Sequence, residues 1–268
     1  MKVLKKTRNL LVLIWRMNII KTLYFNFKML PFHKAIRMPF FLFGKIYFGD
    51  LRGQLIIPDK VSYGMIKVGF KWFDLWPISF VPTQIQIMGK MEFKGKCIIS
   101  GGANVNVQSK EGVLTIGDCT LIGGGSIVKC LKKITIGDGT RITGNCNIMD
   151  CNMHFVKNID TGVVANYKGT IKIGESCWIN YGTIVTKGAV IPDYSITARG
   201  TFVSKDFSES GTNLFLVGAP AKVTSSRVQR ILTLEKQSEF VDYFEKHNTD
   251  ILQLEPGVEI ENGHREGF

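Results

Sequence analysis

The sequence predicts a mainly β protein, shaped as a prism whose three flat sides are short parallel strands. Three observations support this. Aliphatic residues recur every six positions through the middle of the chain, a small residue follows all but one of these anchors by four positions, and 28 of the 268 residues are glycines. Such a period fits neither an amphipathic helix nor a simple hairpin sheet, and it indicates a repeat architecture. One turn of the prism would take about 18 residues, and glycine would permit its tight corners.

The repeat runs in three stretches with a constant register inside each. Its anchor positions are Ile116, Ile122, Val128, Ile136, Ile142, Ile148, Ile173, Ile179, Val185, Ile191 and Thr197. Ten of these eleven residues are aliphatic, so we expect the anchors to fill the interior. The small residues that follow are Thr120, Ser126, Thr140, Cys146, Asn152, Cys177, Thr183, Ala189, Ser195 and Thr201. We expect these to lie where the chain turns.

The register slips at two places, and we expect extra chain at each. The spacing from Val128 to Ile136 is eight residues, which predicts a bulge over 129–133. The spacing from Ile148 to Ile173 is twenty-five residues, which predicts a loop over 154–170 that leaves the prism. Long loops in compact folds are usually functional. The second slip therefore marks the first place to look for a site.

Three ordered motifs carry a resemblance to a known family. The runs IGESCWI at 173–179, ARGTFVSKD at 198–206 and GAPAK at 218–222 resemble motifs of the hexapeptide-repeat acyltransferases. The pattern is similar to that of maltose, galactoside and polysaccharide O-acetyltransferases, and it extends from about residue 98 to 222. The resemblance implies a left-handed parallel β-helix, acetyl-CoA as co-substrate, and a homotrimer with active sites between subunits. The expected domains are an N-terminal segment 1–50, a β-helix 51–222 and a C-terminal helix with its tail 223–268, the helix starting at Thr224 or Ser225.

Acyl transfer to a hydroxyl group needs a base with a pKa near neutrality, and histidine is the usual choice. Of the four histidines, His154 alone lies among the repeats, at the start of the expected loop. The family places its catalytic histidine at this point, so the resemblance makes His154 the general base. A lone histidine, taken by residue type, is more often structural. His33, His247 and His264 lie outside the repeats and are read as ordinary residues.

The resemblance also implies which residues contact CoA and the acceptor. By motif matching, the CoA contacts are Gly182, Thr183, Ala198, Gly200, Thr201, Ser204, Lys205 and Lys222. The alternative is that the small residues only satisfy turn geometry. On the acceptor side the chain departs from the family, because Gly123 or Gly124 and Cys130 stand where the maltose-type enzymes have an Asn and an Asp. Asp150 and Asn152 are the remaining candidates for acceptor binding, or they complete turns.

The charge of the chain is concentrated at its N-terminus. Residues 1–49 contain ten Lys or Arg and no Asp or Glu, whereas the remaining 24 basic residues are nearly balanced by 22 acidic ones. The same segment has two apolar runs, 10–15 and 38–43, which are too short to span a bilayer. This mixture suits contact with an anionic membrane surface, or a cap on the prism with solvated charges. Nucleic-acid binding is not expected, because no recognised module accompanies the charge.

The cysteines and histidines limit the metal chemistry. The six cysteines lack the CxxC spacing of zinc sites, so we expect reduced, packed side chains in a cytoplasmic protein and no metal. A carbonic anhydrase on the same fold would need three histidines. The leading hypothesis is thus an acetyl-CoA-dependent O-acetyltransferase acting on a sugar or polysaccharide precursor, peripheral at most at the inner membrane face. The alternatives are N-acylation of an amino sugar and a non-catalytic scaffold.

Overall fold

The computed structural model describes residues 17–71, 81–224, 227–231 and 233–255. Short strands dominate this part of the chain. In chain order they are β1 Phe40–Leu42, β2 Ile46–Phe48, β3 Gln54–Ile56, β4 Ile66–Phe70, β5 Thr83–Ile87, β6 Lys90–Phe93, β7 Cys97–Ser100, β8 Asn104–Val107, β9 Val113–Ile116, β10 Thr120–Ile122, β11 Ile127–Cys130, β12 Lys133–Ile136, β13 Arg141–Ile142, β14 Asn147–Met149, β15 Val156–Lys157, β16 Val164–Ala165, β17 Thr170–Ile173, β18 Trp178–Ile179, β19 Ile184–Thr186, β20 Val190–Ile191, β21 Ile196–Thr197, β22 Phe202–Val203, β23 Phe215–Val217 and β24 Lys222–Val223. The helices are α1 Ile19–Met29, α2 Phe32–Ala35 and α3 Leu234–His247, with a 3₁₀ turn at Ser208–Ser210.

All the strands except β15 and β16, which pair with each other, stack into three sheets. Sheet I has the order β1-β4-β7-β10-β13-β18-β21-β23-β24, sheet II has β2-β5-β8-β11-β14-β19-β22, and sheet III has β20-β17-β12-β9-β6-β3. Consecutive strands move from sheet I to sheet II to sheet III, and neighbours within a sheet are parallel except for β24, which is antiparallel to β23. This is the predicted left-handed parallel β-helix, and the prediction of its fold class is confirmed.

The aliphatic anchors fill the interior in register. In sheet II, Val105, Val128, Ile148, Val185 and Val203 stand directly above one another on five successive strands. All five are completely buried. Each coil therefore removes the same aliphatic surface from water as its neighbours, and this burial is the main stabilising contribution to the stack.

The small residues have a hydrogen-bonding role at the corners. Thr120, Thr183 and Thr201 are completely buried, and each hydroxyl donates to the carbonyl three residues earlier, at 2.6–2.8 Å. The buried corners thus accept small residues, and a threonine there also satisfies a turn carbonyl with its hydroxyl. Asn152 is the exception, because it is exposed where the chain leaves the coil.

The N-terminal segment caps the open edge of the first strand, β1. Asn26 on α1 donates to the carbonyl of Phe40 at 2.9 Å and accepts from its N–H at 3.1 Å. Thr22, one turn earlier, accepts from the N–H of Leu42 at 3.0 Å. An unpaired strand edge invites association with other chains, and α1 removes that risk at this end of sheet I.

The structure differs from the sequence expectations at three boundaries. The β-helix starts at β1 rather than at residue 51, because the aromatic run 40–43 is buried as the first strand of sheet I. Residues 129–133 form no bulge, since β11 is lengthened to Cys130 and β12 starts at Lys133. The C-terminal helix begins at Leu234, well after Thr224, because the preceding segment packs on sheet I: Val228 donates to Asn213 at 2.9 Å, and the Arg230 guanidinium lies 4.9 Å from the Trp178 ring. The apolar run 10–15, Ser225 and the tail after Glu255 lie outside the described residues.

Candidate active site

The long loop leaves the prism at the edge between sheets II and III, between β14 and β17. It forms an exposed antiparallel hairpin, in which Val156 pairs with Ala165 and Lys157 pairs with Val164. The loop predicted over 154–170 is therefore present, and the two chain segments at its base lie side by side. An isolated bridge between Cys151 and Lys168 closes that base.

Several contacts hold the base of this loop. The N–H of Asn152 donates to the Tyr167 carbonyl at 2.8 Å, and the Phe155 ring packs edge-on against the Tyr167 ring with centroids 4.9 Å apart. The Lys187 ammonium, on the next coil, donates to the Asn166 carbonyl. The loop is therefore fastened on both sides of His154, although its tip extends into solvent.

His154 lies at this fastened base with its side chain exposed. It follows Met153, whose φ of +63° turns the chain sharply out of the coil. Within the described ranges the imidazole has no hydrogen-bonding partner. Both ring nitrogens are thus available to a substrate.

Asp150 is placed differently from Asn152, the other acceptor-binding candidate. Its side chain is completely buried, and its carboxylate accepts hydrogen bonds from the N–H groups of Leu131, Lys132 and Lys133 at 2.7–2.8 Å. A carboxylate with these partners has a structural role, because it holds the turn between β11 and β12. The acceptor-binding prediction stays open only for Asn152, which is exposed beside His154.

Five of the predicted CoA contacts lie together at the edge between sheets I and II, on two neighbouring coils. Gly182 and Gly200 have φ of +73° and +71°, a conformation that glycine adopts without strain. The N–H of Gly200 donates to the Tyr181 carbonyl at 2.9 Å, which stacks one turn on the other. A Cβ at Gly200 would meet nothing within 4 Å, so the backbone there faces open space.

The threonines of this edge offer a ligand only their backbone. Thr183 and Thr201 are completely buried, and their hydroxyls bond to Asn180 and Ala198 carbonyls within the turns. Their side chains therefore serve turn geometry, as one of the two sequence hypotheses stated. Ala198 is partly exposed between them.

The remaining predicted contacts are lysines and a serine at two other places. Ser204 and Lys205 follow β22, at the edge between sheets II and III, two coils beyond the loop that carries His154. Both are exposed, and the Lys205 ammonium lies 5.0 Å from the Phe207 ring centroid. Lys222 is exposed in β24, where Ala221 donates to the Phe202 carbonyl at 2.8 Å.

Within one chain, then, the predicted site is divided between two edges of the prism. His154, Asn152 and Lys205 lie at one edge of sheet II, and the pair of glycine turns lies at the other. Strand β19 of sheet II is three residues long, which separates the edges by roughly 10 Å. A single subunit does not bring the proposed base against the glycine turns.

The sequence interpretation missed a polar cluster beside Gly182. The Asn145 amide donates to the Tyr181 hydroxyl at 2.5 Å, and the Arg199 guanidinium lies 5.1 Å from the Tyr181 ring centroid. The signal was present: Tyr181 and Arg199 are 18 residues apart, which is one full turn of the repeat. Residues so spaced occupy the same corner of adjacent coils, so Arg199 and the half-buried Tyr181 are brought together there.

The described residues contain no group of three or more His, Cys, Asp or Glu side chains placed to hold a metal ion. All six cysteines are buried and none forms a disulfide, so they act as packed side chains. Burial raises the pKa of the Cys146 thiol to about 11 and that of Cys177 to about 12.

Comparisons with known proteins give the fold a context. The chain is 27% identical over 192 residues to the probable acetyltransferase Rv3034c of Mycobacterium tuberculosis, a match that covers 68% of this chain and 56% of that protein. The chain thus spans little more than half the length of this relative. No family model matches the sequence.

A solved structure with the same fold supports this architecture. The polysialic-acid-specific acetyltransferase NeuO superimposes with a TM-score of 0.55 at 19% identity, covering 75% of this chain and 87% of that one. A hexapeptide-repeat acetyltransferase of Vibrio cholerae O1 biovar eltor, complexed with acetyl coenzyme A, gives a TM-score of 0.36 at 22% identity over 42% of this chain and 60% of its own. The resemblance inferred from the three sequence motifs is confirmed: the chain has the β-helix of the hexapeptide-repeat acetyltransferases.

Proposed function

We propose that this protein is an acetyl-CoA-dependent O-acetyltransferase that acts on a sugar hydroxyl of a surface-polysaccharide precursor. The observation that carries the proposal is the exposed, unpartnered His154 at the fastened base of a loop that projects from the coils. The acetyltransferase relative and the shared fold with NeuO, an enzyme named for polysialic acid, support the class of reaction and a glycan as acceptor.

In the proposed reaction, His154 takes the proton of the acceptor hydroxyl while the hydroxyl oxygen attacks the thioester carbonyl carbon. A new C–O bond forms and the C–S bond breaks. The acetyl group becomes an ester of the acceptor, and the sulfur of CoA leaves and takes up the proton that His154 accepted. No covalent enzyme intermediate is needed. Much of the rate would come from holding the two substrates in line.

The divided site supports a homotrimer with shared active sites. If the edge that carries His154 faces the glycine turns of a neighbouring subunit, Gly182, Ala198 and Gly200 line a backbone surface for the pantetheine arm. Lys205 and Lys222 are the exposed cations for the CoA phosphates. A closed three-fold arrangement makes three identical contacts of this kind.

The proposal is tested by measuring CoA release from acetyl-CoA with matched acceptors. Each sugar is offered in two forms, one with a free hydroxyl and one with an amine at the same carbon. We expect release with hydroxyl acceptors, together with an acetyl ester in the product. Release with the amines alone would replace O-acetylation by N-acylation. A protein that neither releases nor binds CoA would be a scaffold, and the proposal would be wrong.

A further inference from the structure

The N-terminal helix α1 buries two polar side chains and exposes several apolar ones, which is the reverse of the usual arrangement. A surface helix of a globular protein normally buries its apolar stripe and exposes polar side chains. Here the buried face includes Thr22 and Asn26, which bond to the edge of β1, together with Phe25. Polar side chains thus make part of the contact between α1 and the coils, and apolar side chains occupy the opposite face of the helix.

That opposite face is apolar and exposed. Ile20, Leu23 and Phe27 recur at helical spacing and are 81%, 44% and 47% exposed. Phe32, 73% exposed, extends the surface, because its ring centroid lies 6.1 Å from that of Phe27. We call these four residues the terminal face. Because α1 sits on the open edge of the first coil, the terminal face points away from the coils.

Basic side chains outnumber acidic ones around the terminal face. Lys28, Arg37 and Lys45 are exposed near it, and Lys34 is the one lysine there that bonds to an acidic side chain, Asp59. Residues 1–49 as a whole contain ten basic and no acidic residues. Bulky apolar side chains ringed by cations match the boundary between headgroups and acyl chains of an anionic bilayer. In the described part of the chain no helix is long and apolar enough to cross a membrane.

We propose that the terminal face docks this protein end-on onto a bilayer of anionic lipids, with α1 lying in the plane of the interface. The apolar side chains enter the acyl boundary and the surrounding lysines and arginines meet lipid phosphates. In this orientation the axis of the β-helix stands away from the membrane.

End-on docking has a consequence for the acceptor, which rests on the proposed transferase function. In sheet II, β14 is separated from β2 by four ladder steps. At about 4.8 Å a step, the base of the loop with His154 stands about 19 Å from the first coil. A lipid-linked acceptor must therefore carry its reacting hydroxyl well above the headgroups, as a glycan of several sugars does and a single lipid-linked sugar does not.

The docking is tested by co-sedimentation of the full chain with vesicles. One set contains equal parts of phosphatidylcholine and phosphatidylglycerol, and the other contains phosphatidylcholine alone, each at low and high salt. The first variant is Ile20→Glu with Phe32→Glu, and the second is Lys28→Ala with Arg37→Ala. A matched control carries Val241→Glu with Ile251→Glu, two exposed apolar residues of the C-terminal region. Circular dichroism confirms that each variant is folded.

We expect the parent and the control to pellet with the anionic vesicles, and less so at high salt. Both terminal variants should bind at least tenfold more weakly. Failure of the parent to pellet, or equal binding by the parent and Ile20→Glu with Phe32→Glu, would overturn the proposal. The proposal would also be overturned if the parent formed an end-to-end dimer without vesicles and Ile20→Glu with Phe32→Glu dissociated it. A second copy of the chain would then cover the terminal face. If removal of residues 1–16 abolished vesicle binding as fully as the two pairs of substitutions in the terminal region do, the proposal would likewise be overturned. Pelleting requires no turnover, so this result and the fate of the transferase proposal are independent.

Discussion

The buried carboxylate of Asp150 accepts a hydrogen bond from the backbone N–H of Lys132 at 2.7 Å. The contact joins two neighbouring coils directly beneath the point where the loop with His154 departs. Two more N–H groups, from Leu131 and Lys133, bond to the same carboxylate. The interaction thus fixes the turn that supports the base of the loop.

Replacing Asp150 by Asn should destabilise the protein by about 2–4 kcal/mol, because the amide nitrogen cannot accept and the charge-assisted bonds are lost. The measurement is the free energy of unfolding in urea at fixed protein concentration. Asp160→Asn, at the exposed tip of the same loop, serves as the control and should change it by less than about 0.5 kcal/mol. Equal values for the two variants would show that the buried carboxylate does not hold the turn.

The regular coils could be predicted from the sequence because each anchor is chosen by a single requirement, namely volume inside the prism. The structural role of Asp150 could not be predicted, because its hydrogen-bonding partners are backbone N–H groups one coil away. Every residue type except proline has such a group, so the sequence does not mark these partners. The start of the β-helix at Phe40 was missed for a related reason. The first coil has one neighbouring coil and a helix, so its residues need not follow the six-residue repeat.

The sequence predicts which residues form the site, but not which edge of the prism carries each of them. Position within the repeat singles out His154, and motif spacing singles out Gly182 and Gly200. Which edge of the prism each part occupies depends on the strand lengths in sheet II, and whether the edges meet depends on assembly. Neither the edge that each part occupies nor the meeting of the two edges can be deduced from a local sequence motif.

Asn26 should be essential to the N-terminal cap. Asn26→Leu keeps the volume and leaves the N–H and C=O of Phe40 buried without partners, which should cost about 2–5 kcal/mol for the two groups. Amide hydrogen exchange at Phe40 should accelerate accordingly. Lys28→Ala, on the exposed side of the same helix, should leave that exchange unchanged. Slow exchange at Phe40 in the Asn26 variant would contradict the capping role.

The cysteines should react slowly in the folded protein. Burial raises the pKa of Cys146 to about 11 and of Cys177 to about 12, and the reactive thiolate is correspondingly scarce at pH 8. Because these pKa values exceed the unfolded value of about 8.5, the thiols stabilise the fold fully below that pH. The contribution is lost progressively as the pH rises toward 11–12.

Mass spectrometry after a short pulse of iodoacetamide checks this. We expect almost no adducts on the native protein at pH 8 and six in urea. Ser62→Cys, at an exposed position, supplies a reference thiol that should be labelled at once. Native labelling of several cysteines at the rate of this reference would show that the interior opens readily.

The proposed sharing of each site by two subunits predicts complementation between two inactive variants. His154→Ala removes the base, and Ala198→Trp blocks the turns on the opposite edge. Trimers reassembled from an equal mixture of the two variants should recover about a quarter of the parental activity, because about one site in four then draws an intact half from each of two subunits. If both halves belonged to one chain, mixing would restore nothing. Sedimentation should show that each variant still forms trimers.

The most direct test of the account is the rate of CoA release, on an acceptor that the parent turns over, by His154→Ala beside His247→Ala. Removal of a general base should lower kcat by on the order of 10²–10⁴-fold, whereas the histidine on α3 should be replaceable without effect. We predict that large loss for His154 alone, with acetyl-CoA binding retained. A His154→Ala variant that keeps the parental kcat would contradict the assignment of this residue as the base.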